Sequence, residues 1–321
     1  MFFYFKKIKI HGIKNVPKNK PVLLLCNHQN ALLDALLIAT KSGRFSYFLT
    51  RSAVFKKSLV SKILNSLQML PIYRIRDGWS KLSNNNAIFE TCSELLNKEE
   101  VIVIFPEGSH NLKRTVRPLS KGFTRIVFDT LKKYPKTDLQ LIPVGLNFEK
   151  AEKCPDSASI FFGEPIVAKG FISENRNDDV VKLKAKIQSE ISKLTTHIPS
   201  DNYDETLGVL NNLHADFLNP KAVNRCIASG FKNCDITRKS KIKGIKLFFK
   251  GLLFLNVLLP YLIWKFIAEP KIDEIEFTST LRFAIAITLV PFYLLILGIL
   301  LAYSFSFKIA IIYIISVLII S

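Results

Sequence analysis

Apolar and polar positions alternate in blocks along the first half of the chain. Val22–Cys26 reads VLLLC, a short continuous apolar run of the kind buried on both faces of a sheet. The alternating KIKI at Lys7–Ile10 and the apolar stretches Val101–Phe105, Leu139–Gly145 and Ile160–Phe162 predict further strands. Between them lie stretches with helical spacing. These predict helices over Ala31–Lys41, Lys56–Leu67, Asn85–Leu96, Ser120–Tyr134 and Asp179–Leu194. Strands alternating with helices of this length imply an α/β fold, layered, with a sheet flanked by helices. The expected division is a domain over 1–200, a connector of short polar helices over 201–244, and an apolar region over 245–321.

The apolar region changes the picture most. Leu247–Ala268 is long enough to cross a bilayer, with Lys250 and Lys265 near its ends. Phe283–Tyr303 carries no charge at all, and a shorter run closes at Ile309–Ile320. Two to three transmembrane helices are expected here. The basic stretch RKSKIKGIK, Arg238–Lys246, precedes the first and places the preceding domain on the cytoplasmic side. The N-terminal MFFYFKKIKIHGIK has neither a long apolar core nor a small-residue cleavage site, so no secretory signal is expected.

Charge points the same way. The net charge is +19. From Gly251 onward four basic residues face four acidic ones, so the whole excess lies in the first 250 residues. Such a domain calls for an anionic partner: a membrane surface, a phosphorylated substrate or nucleic acid. The basic residues are dispersed and no nucleic-acid motif occurs, which disfavours the last. Five scattered cysteines show no metal spacing and suit a reducing compartment, with all thiols free.

Four stretches carry candidate chemistry. In NHQNALLD, His28 follows a strand at the sheet edge where α/β proteins hold ligands, and Asp34 stands near enough to orient its ring. Alone, the pair favours a plainer reading, a helix-capping histidine and a solvated acid. Cys26 belongs to the apolar strand, so no enzyme nucleophile accompanies the pair. In LPIYRIRDG, Arg74 and Arg76 alternate on an extended segment and suit a phosphate. In FPEGS, Pro106 stops a strand, and Glu107, Gly108 and Ser109 follow at its edge. LIPVGL is a buried strand without chemistry of its own.

In this order the four blocks, with FFGEPI at Phe161–Ile166, resemble the glycerolipid acyltransferase family of 1-acylglycerol-3-phosphate and glycerol-3-phosphate type enzymes, over about residues 8–170. The resemblance implies that His28 is the general base on an acceptor hydroxyl and that Asp34 orients it. Arg74, with Arg76 beside it, would bind the acceptor phosphate. Glu107, Gly108 and Ser109 would shape the acceptor site. The donor would be a thioester on coenzyme A or an acyl carrier protein, with no cofactor and no metal. The partners are membrane lipids. Two departures from the family pattern stand out. Five residues separate His28 from Asp34 where four are usual, and the basic position after the third block is His110, with Lys113, Arg114 and Arg117 following. Another acceptor, such as an aminolipid, and a lipid-binding protein with a degenerate transferase domain are the competing readings.

Overall fold

The computed structural model of the chain describes residues 4–74, 78–235 and 244–320. Eight strands build one mixed sheet: β1 (Phe5–His11), β2 (Val22–Cys26), β3 (Ser46–Arg51), β4 (Met69–Ile72), β5 (Val101–Ile104), β6 (Gln140–Phe148), β7 (Asp156–Phe162) and β8 (Ile166–Val167). Their order is β1-β7-β6-β2-β5-β3-β4, with β8 paired to β6. β2 is central and parallel to both β5 and β6, with Leu23 opposite Ile102 and Leu141. β7 and β8 run antiparallel to β6.

β2 explains the two cores. Its five residues are all fully buried, and their alternation sends them to opposite faces. Val22, Leu24 and Cys26 pack with Leu33, Leu37 and Ile38 of α1 (Ala31–Lys41). Leu23 and Leu25 pack on the other face with residues of α3 (Asn85–Asn97), α4 (Gly122–Lys133) and α5 (Arg176–Leu194). A run that is apolar on every residue is what a parallel strand covered on both sides requires.

α2 (Ser58–Ser66) buries no residue. α6 (Tyr203–Asn212) and α7 (Pro220–Ala228) close a small separate core around Ile198, Tyr203, Leu210 and Phe217. Here one expectation fails. Cys226 and Cys234 are joined in a disulfide, leaving Cys26, Cys92 and Cys154 as the free thiols. Residue spacing alone did not reveal that the turn after α7 brings the two sulfurs together.

The apolar region also departs from expectation. Leu247–Ala268 is not one helix but α8 (Gly244–Asn256), α9 (Leu258–Ile263) and a π-helical turn, Trp264–Ala268. The break falls at Val257. Pro260, one turn on, has no N–H to give, and its ring conflicts with the carbonyl four residues back. α10 (Phe277–Ile287) and α11 (Leu289–Ser304) together span Phe277–Ser304, 28 residues, the one helix among the described residues long and apolar enough to cross a membrane. α12 (Phe307–Ile320) packs back on α11, with Gly298 leaving room for Ile314. The Tyr313 hydroxyl donates to Asn256 Oδ1 at 2.8 Å and ties α12 to α8.

Candidate active site

Because β2 and β5 are parallel neighbours, the loops after their carboxyl ends share one sheet edge. The first loop carries His28 and the second Glu107. The Asn111 N–H donates to the His28 carbonyl at 3.0 Å and holds the loops together.

His28 Nδ1–H donates to Asp34 Oδ2 at 2.8 Å. The same oxygen accepts the backbone N–H groups of Gln29 at 2.8 Å and Asn30 at 2.7 Å. Asp34 is fully buried in the first turn of α1, so these three donors fix its position. Between the two, Ala31 opens α1 with a φ of 39°, which curls the chain as it enters the helix. With Nδ1 committed to the carboxylate, the Nε2 lone pair is left as base. The ring stacks on Phe105 with centroids 4.1 Å apart.

Glu107 is nearly buried, and its Oε2 accepts from Arg117 Nε at 2.7 Å. Burial pushes its carboxyl above the ordinary value, while the Arg117 charge and hydrogen bond, then the charge and backbone N–H of His28, pull it down. Arg117 also donates to Ser109 Oγ at 2.8 Å and to the Ser109 carbonyl. One guanidinium thus locks the whole FPEGS turn. Gly108 makes that turn possible with a φ of 77°. A polar cleft opens beside His28, lined also by Glu107, Asn111, Lys113, Thr195 and Thr196.

Arg74 follows β4 on a segment pinned to α3: Asn85 Oδ1 accepts the Tyr73 N–H, and Asn85 Nδ2 donates to the Tyr73 carbonyl. Its charge reaches His110. Arg76 lies outside the described residues. The structure therefore gathers His28, Asp34, Glu107, Gly108 and Ser109 at one edge, with Arg74 within electrostatic reach of it.

The sequence does not mark Asn27 as part of this edge, and it names His110 only as a family position, not as a neighbour of His28. Asn27 is buried and pairs its side-chain amide with both the N–H and the carbonyl of Leu146. Its place next to His28 was the only available signal. His110 stands edge-on to His28, centroids 5.6 Å apart. On its far side lie Phe277 of α10, at 4.8 Å between centroids, and Glu274, whose Oε2 is 3.6 Å from His110 Nε2. Nothing in the sequence connects residues so distant along the chain. Burial lowers the His110 pKa, and the His28 charge lowers it further, against the opposing pull of Glu274. His110, Glu274 and Glu276 bring potential metal-ligating atoms within 4.8 Å of one another.

Residues 7–147 match the family model described as Acyltransferase. Glycerol-3-phosphate O-acyltransferase 2 of Saccharomyces cerevisiae is 26% identical over 63% of this chain and 41% of its own length. The chloroplastic 1-acyl-sn-glycerol-3-phosphate acyltransferase LPAT1 of Arabidopsis thaliana is 24% identical over 44% of this chain and 36% of its own. The chain thus spans less than half the length of these relatives. A crystal structure of the 1-acyl-sn-glycerophosphate acyltransferase PlsC from Thermotoga maritima aligns with 58% of this chain and 72% of its own, at 18% identity and a TM-score of 0.39. The matched segment contains the whole His28–Asp34 and Glu107–Ser109 edge, and over it the chain is similar to glycerolipid acyltransferases.

Proposed function

We propose that the protein transfers a fatty acyl chain from a thioester, on coenzyme A or an acyl carrier protein, to the hydroxyl of a lysophospholipid or glycerol phosphate. The observation that carries this reading is the His28–Asp34 hydrogen bond at 2.8 Å beside a cleft that, among the described residues, has no serine or cysteine on its lining. The acceptor then supplies its own nucleophile. His28 Nε2 takes the hydroxyl proton while buried Asp34 stabilises the imidazolium. The oxygen attacks the thioester carbonyl, a C–O bond forms and the C–S bond breaks. The departing thiolate recovers the proton from the ring.

Arg74 and Arg76 are assigned to the acceptor phosphate, and the Glu107–Ser109 turn to the acceptor site. The part of the apolar helix Phe277–Ser304 that lies beyond α10 is assigned to the bilayer, which would make the protein membrane-bound. The cytoplasmic orientation rests on the basic run ahead of α8, most of which lies outside the described residues. The surplus cationic charge is assigned to lipid and donor phosphates rather than to nucleic acid.

The test is transfer from acyl-CoA to lysophosphatidic acid by the purified protein. His28→Ala and Asp34→Asn are expected to lower kcat by about a hundredfold to ten-thousandfold, the usual worth of a positioned base. Equal transfer by wild type and His28→Ala would overturn the mechanism.

A further inference from the structure

α10 is docked on the domain rather than strung from it. The Tyr4 hydroxyl donates to the Ser279 carbonyl at 3.0 Å, Ser279 donates to the Ala151 carbonyl, and Arg282 Nη1 donates to the Glu152 carbonyl at 3.1 Å. Phe283 is buried in the core that also holds Leu33 and Leu37 of α1. These contacts use one face of the helix. The other presents Phe277 and Leu281, 38% and 39% exposed and one turn apart. That stripe begins against the catalytic edge, since Phe277 touches His110 and His110 touches His28. At its far end it continues into α11, where Phe292, Leu295 and Ile299 are all more than half exposed. Exposed apolar residues on this face thus lead from the edge that holds His28 toward α11, with Thr288 at the joint between the two helices. The polar cleft lies at the same histidine.

We propose that Phe277 and Leu281 seat the acyl chain of the lipid acceptor, so that α10 selects which acceptor reaches His28. The inference rests on the acyl-transfer reading and goes beyond it by naming the specificity residues. The acceptor rather than the donor fits these residues because they lead toward the helix assigned to the bilayer. A carrier-bound or coenzyme-bound chain arrives from water with a large polar group attached.

The test compares full-length wild type with Phe277→Ala, Leu281→Ala and the conservative Phe277→Leu, using short-chain and long-chain lysophosphatidic acid. Wild type should favour the long chain. Each alanine variant should lose about tenfold of that preference through a raised KM for the long-chain acceptor. The readout is the ratio of long-chain to short-chain kcat/KM, and Phe277→Leu should restore most of the preference. Two results overturn the proposal: equal loss on both acceptors, or a change in donor chain-length preference instead. A second arm needs no turnover. Lysophosphatidic acid with a diazirine on the first carbons of its acyl chain should label the peptide containing 277–281, and unlabelled lysophosphatidic acid but not phosphatidylcholine should compete. Labelling that any bulk lipid displaces, or that falls only on α11 and α12, also overturns it. If wild type acylates neither acceptor, the catalytic reading fails and the labelling alone decides the seat.

Discussion

Asp34 shows how one side chain can do two tasks. Its Oδ2 satisfies two backbone donors at the start of α1 and orients His28 with the same lone pairs. Between the two, Ala31 sits at a φ a side chain rarely adopts. A left-handed residue with a Cβ costs about 1–2 kcal/mol, and glycine escapes most of that cost. Ala31→Gly is therefore expected to raise stability by about 1 kcal/mol, read as a higher melting temperature, with the His28–Asp34 geometry and activity retained. A lower melting temperature would mean that Ala31 is not strained. At this scale the sequence was informative. NHQNALLD named both partners of the hydrogen bond. It could not name His110 or Phe277 as neighbours of His28, because those contacts depend on how α10 returns to the sheet.

Among the elements, the buried parallel strands were the most legible, since VLLLC admits little else once both faces are covered. β3 and β4 were not. SYFLTR is polar at both ends, and MLPI is only four residues with Pro71 inside it. Its place at the sheet edge explains the proline, which has no N–H for a second ladder. Gly145 in β6 answers another question that periodicity cannot pose. A Cβ there would lie 2.0 Å from the Leu194 carbonyl oxygen, so the strand touches the end of α5 directly. That approach brings Thr195 and Thr196 to the cleft.

β7 opens with a buried carboxylate, Asp156, that carries a pH dependence. Burial raises its pKa from 3.8 to about 6, against hydrogen bonds from the Ser157 and Lys150 backbones. Below about pH 4 it is protonated folded or unfolded and costs nothing. Between about 4 and about 6 the unfolded chain ionises first, so the contribution to stability falls as pH rises. Above 6 the cost is full, about 3 kcal/mol from the linkage of two pKa units. Asp156→Asn should flatten this segment of the stability profile and raise stability at neutral pH. Chemical denaturation of both proteins at pH 4, 5, 6 and 7 checks it, and parallel profiles would refute the assignment.

For the whole molecule, the chief finding is that the apolar C-terminal region takes part in the fold of the domain. Phe283 of α10 stands edge-on to Tyr4, centroids 5.3 Å apart, and Tyr4 in turn packs on Phe5 of β1. Phe283→Ala is expected to cost about 3–5 kcal/mol, the usual range for a buried Phe truncation. The loss should appear in the unfolding of the sheet domain itself, followed by hydrogen exchange of β1 and β7. Destabilisation confined to α10–α12 would show that the two parts are energetically separate. The sequence announced the apolar segments by composition. It could not say that one of them would be broken at Asn256–Val257 and another latched to Ala151 and Glu152.

The latch on α10 has a kinetic meaning. A domain on a loose tether meets its substrates by tumbling through a volume. Here Ser279 and Arg282 fix the reactive edge at one attitude to a helix whose own direction is set by its surroundings. If that helix spans the bilayer, His28 is held at a constant height and tilt over the lipid, and its encounters become lateral. The acceptor is then measured by its mole fraction in the surface rather than its molarity. Diluting the membrane with inert lipid slows such an enzyme, and diluting the suspension with buffer does not.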